Sequence, residues 1–178
     1  MILPIVTYGN EILKEPAQPV ASVTPEVCEL VETMLKTMYD GRGVGLAAEQ
    51  VGRTERIAVI DVPGDMEDED FVELNASIPM PLVMINPEIL QLDGQLRRSE
   101  GCLSFPNLFI EITRAKSVTF QCTDCTGKRH EYTAYGLLAR AVQHEIDHLN
   151  GVLLVDRMSP AQRMANSGKL RRIKKRSA

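Results

Sequence analysis

Apolar residues Val27, Leu30, Val31, Met34, Leu35 and Met38 recur at the three- and four-residue spacing of one helical stripe. Ahead of them, Thr24-Pro25-Glu26 supplies a capping hydroxyl, a proline at the first helical position and an acid in the first turn. The pattern predicts a helix over 25–39, stopped at Asp40-Gly41-Arg42-Gly43. Branched apolar runs over 56–62 and 82–85 predict strands. Between them, Gly64 to Pro81 is acidic and reads as an exposed, solvated excursion. Further strands are expected at 108–114, 117–123 and 128–135, the last two joined into a hairpin through Asp124-Cys125-Thr126-Gly127. Gly136 opens a second long helix that runs to about Asn150, and Gly151 ends it. With no internal repeat or interior linker, these elements predict an α+β protein of mostly antiparallel strands packed against two principal helices.

Composition narrows the class. A length of 178 residues, 44 % hydrophobic and 25 % charged, suits one globular domain, expected over 1–168. Lys169 to Ala178 carry six basic residues and no acid, so the whole-chain charge of −4 leaves −10 on residues 1–168. An acidic body with a basic tail or helix at 169–178 points that segment towards a polyanion, or makes it a solubilising tail. No apolar run approaches the roughly 18 residues that span a bilayer. The N-terminus lacks the features of a secretory signal, so a cytoplasmic protein without membrane contact is expected. In that reducing setting Cys28, Cys102, Cys122 and Cys125 are free thiols or metal ligands. The spacing Cys122-Thr123-Asp124-Cys125 has no second copy, and reads as two thiols at a hairpin turn. His130 reads as a sheet or surface residue.

The chemistry concentrates at His144-Glu145-Ile146-Asp147-His148. Two histidines four apart leave the same helical face and can converge on one metal ion, with Glu145 close enough to move a proton of a water there. Ala141 and Leu137, one and two turns earlier on that face, can wall a pocket. A third ligand must come from elsewhere. The continuation with a further histidine at 154 is excluded, since Leu154 stands there. Cys102, in Glu100-Gly101-Cys102-Leu103-Ser104, is the better candidate; otherwise it is a small buried hydrophobe. The segment Gly43-Val44-Gly45-Leu46-Ala47-Ala48-Glu49-Gln50 is a helix stop with a tight glycine turn and lacks the Lys-Ser/Thr ending of a phosphate loop.

These three motifs in this order resemble the peptide deformylases, and the likeness runs from Ile5-Val6 to about Arg157. The resemblance implies antiparallel sheets packed around a central HExxH helix. It also implies removal of the N-formyl group from formylmethionine at the start of nascent polypeptides. Cys102, His144 and His148 would hold one divalent metal, iron(II) natively, with zinc, nickel or cobalt as substitutes. Glu145 would move the proton, while the Gln50 side-chain amide and the Leu103 backbone N–H would meet the formyl oxygen. The Gly43-Val44-Gly45 backbone would pair with the substrate as an added strand. Leu137 and Ala141, with Phe105, would form the methionine pocket. Glu100 and Arg114 would form an ion pair behind the metal loop, or else a surface salt bridge of little worth. Since nascent chains emerge from ribosomes, the six charges of 169–178 point to docking on ribosomal RNA, the alternative being a solubilising tail. Two residues depart from the usual pattern: Glu49 stands where proline is common, and Phe109 where some bacterial members carry arginine. The alternatives are a zincin-type endopeptidase and a catalytically inactive, ribosome-associated metal-binding protein.

Overall fold

A computed structural model describes residues 1–177. Thr24 Oγ1 accepts the Val27 N–H, and Pro25 opens helix α1, Pro25–Asp40. Its stripe of Leu30, Val31, Met34 and Met38 is buried against Ile57, Val59 and Ile85. The main sheet has five strands: β1 (Gly45–Ala47), β2 (Ile57–Ile60), β3 (Leu82–Asp93), β6 (Ser117–Thr123) and β7 (Arg129–Tyr135). They lie in that order, and every neighbouring pair is antiparallel. A second, two-stranded sheet pairs β4 (Leu96–Cys102) with β5 (Phe105–Arg114).

Helix α3, Gly136–Leu149, lies across the main sheet. It buries Leu138, Ala139, Val142, Ile146 and Leu149 against β2, β3 and β6 residues such as Ile60, Met84 and Phe120. The five residues are one to four apart, so the face turned to the sheet is broad. The end of β4 delivers Cys102 to this helix. The β4–β5 register slips between Gly101 and Cys102, which turns the cysteine out of the regular ladder.

Three elements differ from expectation. Strand β3 continues eight residues past 85 as a largely exposed arm paired with β6. Strand β4 was not expected, because Leu-Arg-Arg-Ser-Glu-Gly-Cys has no apolar alternation; β5 supplies its pairing instead. The excursion 64–81 is not a solvated loop throughout. Phe71 and Ile78 are buried, and a short helix α2, Glu69–Val72, brings Glu67 to the start of α3. The Glu67 carboxylate accepts the Leu137 N–H at 2.8 Å and the Leu138 N–H at 3.0 Å. These first-turn donors have no cap of their own, since Tyr135 offers no side-chain bond there. Gly136 sits at φ +61, and a Cβ there would strike Phe71 and Glu67. Replacing Glu67 by alanine should therefore lower the unfolding free energy by about 1–2 kcal/mol, read as a lower urea midpoint. An unchanged midpoint would show that α3 does not depend on this cap.

The C-terminal residues form α4 (Pro160–Ala165) and α5 (Ser167–Ser177). Of the two forms expected for the basic segment it takes the helix, with Leu170 and Ile173 buried beside Phe105 and Leu108. Ala178 lies outside the described residues.

Candidate metal centre

His144, Glu145 and His148 all lie on the buried side of α3, at 9 %, 4 % and 1 % exposure. The two Nε2 atoms are 3.2 Å apart, and Cys102 Sγ is 3.3 Å from that of His148. All three donor atoms fall within 4.8 Å of one another. A tetrahedral ion with nitrogen ligands at about 2.0–2.1 Å and sulfur at about 2.3 Å needs edges of roughly 3.3–3.6 Å, so the donor set fits a divalent metal. The mixture of thiolate and imidazole suits zinc-like or iron(II) chemistry.

Several partners hold the donors in place. His144 Nδ1 lies 3.2 Å from Glu100 Oε2, which fixes the ring with Nε2 towards the centre. Glu100 is itself gripped by Arg114, through Nη2 to Oε2 at 3.0 Å and through Nε to the other oxygen. Arg114 Nη1 donates to Asp147 at 2.9 Å, and Arg157 donates to the same carboxylate. The Glu100–Arg114 pair is thus buried, at 10 % and 4 % side-chain exposure, and not a surface bridge. Arg140 adds a second cation 3.2 Å from Glu100, and donates to the carbonyls of Leu96 and Ile112. Burial pushes the Glu100 carboxyl up, but His144 and Arg114 outweigh it and hold its pKa at about 2. Burial opposes charge on His144 as well, yet Glu145, Cys102 and Glu100 carry its pKa well above the ordinary value. Burial and the nearby positive charge of His144 drive His148 the other way.

Glu145 is different. Its Oε1 is buried without a hydrogen-bond partner, and burial raises the carboxyl to about 7. A Cβ on Gly45 would run into its carboxyl group, so glycine is what lets β1 lie this close. A Cβ on Gly43 would come within 2.8 Å of the Leu103 side chain.

The Gln50 amide is oriented by its neighbours. Its oxygen accepts the Ala47 N–H at 3.0 Å, which leaves the NH2 group to donate to Ser104 Oγ at 3.1 Å and to face Cys102 Sγ at 3.5 Å. Ser104 in turn donates to the Val6 carbonyl at 2.7 Å. The N-terminal segment clamps both sides, since Val6 N–H donates to the Gln50 carbonyl and Tyr8 N–H to that of Ser104.

One cavity of about 500 Å³ opens over the centre, lined by Gly43, Val44, Gly45, Gln50, Cys102, Leu103, Leu137, Ala141, His144 and Glu145. Phe105 lines it too, and Phe109, 73 % exposed, stands at its rim. His148 and Arg114 lie behind its wall. Strand β1 is the edge of the five-stranded sheet, so its outer side can accept another strand. Sequence reasoning missed Ser104, Asp147, Arg140 and Met66, which also borders the cavity. Ser104 and Asp147 stand inside the motifs; nothing local marks Arg140 or Met66.

The remaining singular residues lie apart from the candidate metal donors. Cys122 is buried with Phe120, whereas Cys125 packs with the α1 cluster, where Cys28 Sγ donates to its carbonyl at 3.4 Å. The two cysteines of the hairpin therefore face different surroundings. His130, in β7, lies 2.6 Å from Asp124 and stacks on Tyr132.

A structural metal site would have no use for a buried, partnerless carboxyl beside its ligands; the class defined here is the metal-dependent hydrolase. The polypeptide deformylase family profile matches residues 2–164. The peptide deformylase of Alkalilimnicola ehrlichii is 41 % identical over 172 residues, covering 97 % of this chain and 90 % of that protein. Among solved structures, peptide deformylase from Ehrlichia chaffeensis superposes with a TM-score of 0.87 at 34 % identity, over 99 % of this chain and 97 % of its own. That from Legionella pneumophila gives 0.84 at 40 % identity, over 98 % and 96 %. The chain belongs to the polypeptide deformylase family.

Proposed function

We propose that Cys102, His144 and His148 hold a single divalent metal, natively iron(II), beside which Glu145 drives hydrolysis of the formyl group of N-formylmethionyl nascent peptides. Zinc, nickel and cobalt suit the same donor set as substitutes. The observation that carries this reading is the Glu145 carboxyl, buried and without a partner at Oε1, in the wall shared by the ligands and the cavity. When bound, the metal would supply Lewis-acid chemistry that makes the attacking water more acidic.

Glu145 takes a proton from the attacking water and returns it to the leaving amine, so one water and one formamide become formate and a free N-terminus. The developing negative charge on the formyl oxygen faces the Gln50 NH2 group, aimed by the Ala47 N–H, and the N–H of Leu103. The peptide lies along Gly43–Gly45 as an added strand, with its methionine side chain against Leu137, Ala141 and Phe105. Glu100 and Arg114 position His144. Gln50→Leu should keep the metal and lose about 3 kcal/mol of transition-state stabilisation, roughly a hundredfold in turnover. Unchanged turnover with unchanged metal would rule out the Gln50 role.

The test of the reaction is product analysis on formyl-Met-Ala-Ser and on longer unformylated peptides. Formate and an intact tripeptide support the reading; cleavage at internal bonds would make the protein an endopeptidase.

No described helix is long and apolar enough to cross a membrane. A substrate leaving the ribosome and free thiols at Cys28, Cys122 and Cys125 support a cytoplasmic site of action. The basic helix supports docking on ribosomal RNA. Truncation at 169 would strip Leu170 and Ile173 from the core, so the exposed Arg171→Glu/Lys175→Glu pair is the sounder probe. It should weaken salt-sensitive co-sedimentation with ribosomes several-fold; unchanged, salt-insensitive co-sedimentation would end the proposal.

A further inference from the structure

The cavity over the metal centre is continued beyond its rim. Pro106 and Asn107 border it and also border a second concavity of about 480 Å³. The other wall of that groove is α5, which contributes Lys169, Arg172 and Arg176, spaced three and four apart as one stripe. Among the described residues, none of these three cations forms a salt bridge with a carboxylate. They project from a fixed base, since Leu170 and Ile173 are each only 8 % exposed. Elsewhere the mouth of the main cavity is bordered by Met66, which lies in the acidic stretch Asp65-Met66-Glu67-Asp68-Glu69-Asp70. The stripe of three unpaired cations thus borders the entrance of a chain whose net charge is −4.

We propose that this groove receives the downstream part of the nascent peptide and selects carboxylate side chains there, a proposal that rests on reading the main cavity as the formyl-peptide site. A chain bound by its formyl end and crossing the Pro106–Asn107 rim enters the groove without leaving the surface. Within it, two guanidinium forks and an ammonium meet the peptide. Arginine is suited to gripping a carboxylate through two parallel bonds, and the concave wall concentrates the field of all three charges. Arg171 and Lys175, which do not line the groove, stay available for the ribosomal contact. The same helix thus divides its charge between a substrate face and an outer face.

The test compares formyl-Met-Ala-Ser extended by a run of aspartates with the same peptide extended by lysines, using metal-loaded full-length protein at low salt. The aspartate peptide should be favoured roughly tenfold in kcat/KM, mostly through KM, and the ratio should fall towards one as salt shortens the reach of the charges. Lys169→Gln/Arg172→Gln/Arg176→Gln, which keeps good helix formers at all three positions, should abolish the preference; Arg171→Gln/Lys175→Gln should keep it. Equal values for the two extensions, or a preference that survives the triple substitution, would overturn the proposal. So would a triple variant that loses only ribosome binding, which would assign the groove to RNA. Formate release from unextended formyl-Met-Ala-Ser reports the chemistry separately, so the groove can fail without the deformylase reading failing.

Discussion

Exchanging Glu145 for glutamine is expected to cut formate release by about three orders of magnitude while leaving the metal content unchanged. The side chain is 4 % exposed, is closely packed against Gly45, and has an oxygen with no other partner. Glutamine fills the same space but cannot accept and return a proton. His144 and His148 leave the helix on either side of this position and keep their own supports, Glu100 for His144 and the helix backbone for both. Turnover and metal per chain, measured on the same samples, check the expectation. A fall of less than tenfold at full metal content would remove Glu145 from the proton transfer.

A second large effect is expected at Glu49, one residue before Gln50. It is 1 % exposed, and neither carboxyl oxygen has a hydrogen-bond partner. Arg56 lies near enough to be felt, but its guanidinium is spent on the Leu149 and Pro87 carbonyls and on Asn150 Oδ1. Burial therefore dominates and raises the carboxyl from the ordinary 4.5 to about 8. Because the folded chain holds this proton where the unfolded chain has released it, the associated stability is complete below pH 4.5 and drains away as pH rises through about 8. Glu49→Gln mimics the protonated form at every pH. The variant should match the parent near pH 4 and exceed it by on the order of 3 kcal/mol near pH 9. Urea midpoints at the two ends check this. A gap that does not widen with pH would mean that Glu49 is ionised in the fold and has a partner.

The sequence marks two of the three candidate metal donors for local reasons. His144 and His148 are tied by helical spacing alone, and the α1 and α3 stripes follow from periodicity and their terminal signals. Cys102 carries no such local geometry; its two neighbouring motifs raise it above an ordinary buried thiol. The residues that escaped notice act across long separations. Glu67 is one acid among several in an acidic run, yet it caps a helix 70 residues later in the chain. Strand β4 is polar because both its faces leave room for water, so alternation could not mark it. Arg140 is buried inside α3 as a cation only because Glu100 and two carbonyls from the second sheet wait for it. In the basic C-terminal segment, Leu170 and Ile173 at a three-residue spacing were the signal of a docked helix, outnumbered by six charges.

The most direct test of the metal-centre account is formate release from formyl-Met-Ala-Ser by protein purified without oxygen, before chelation, after chelation, and after iron(II) is restored. The account predicts about one metal ion per chain, activity that disappears with it and returns with it, and no metal retained when Cys102, His144 and His148 are all replaced by alanine. Activity that survives complete removal of the metal would contradict it.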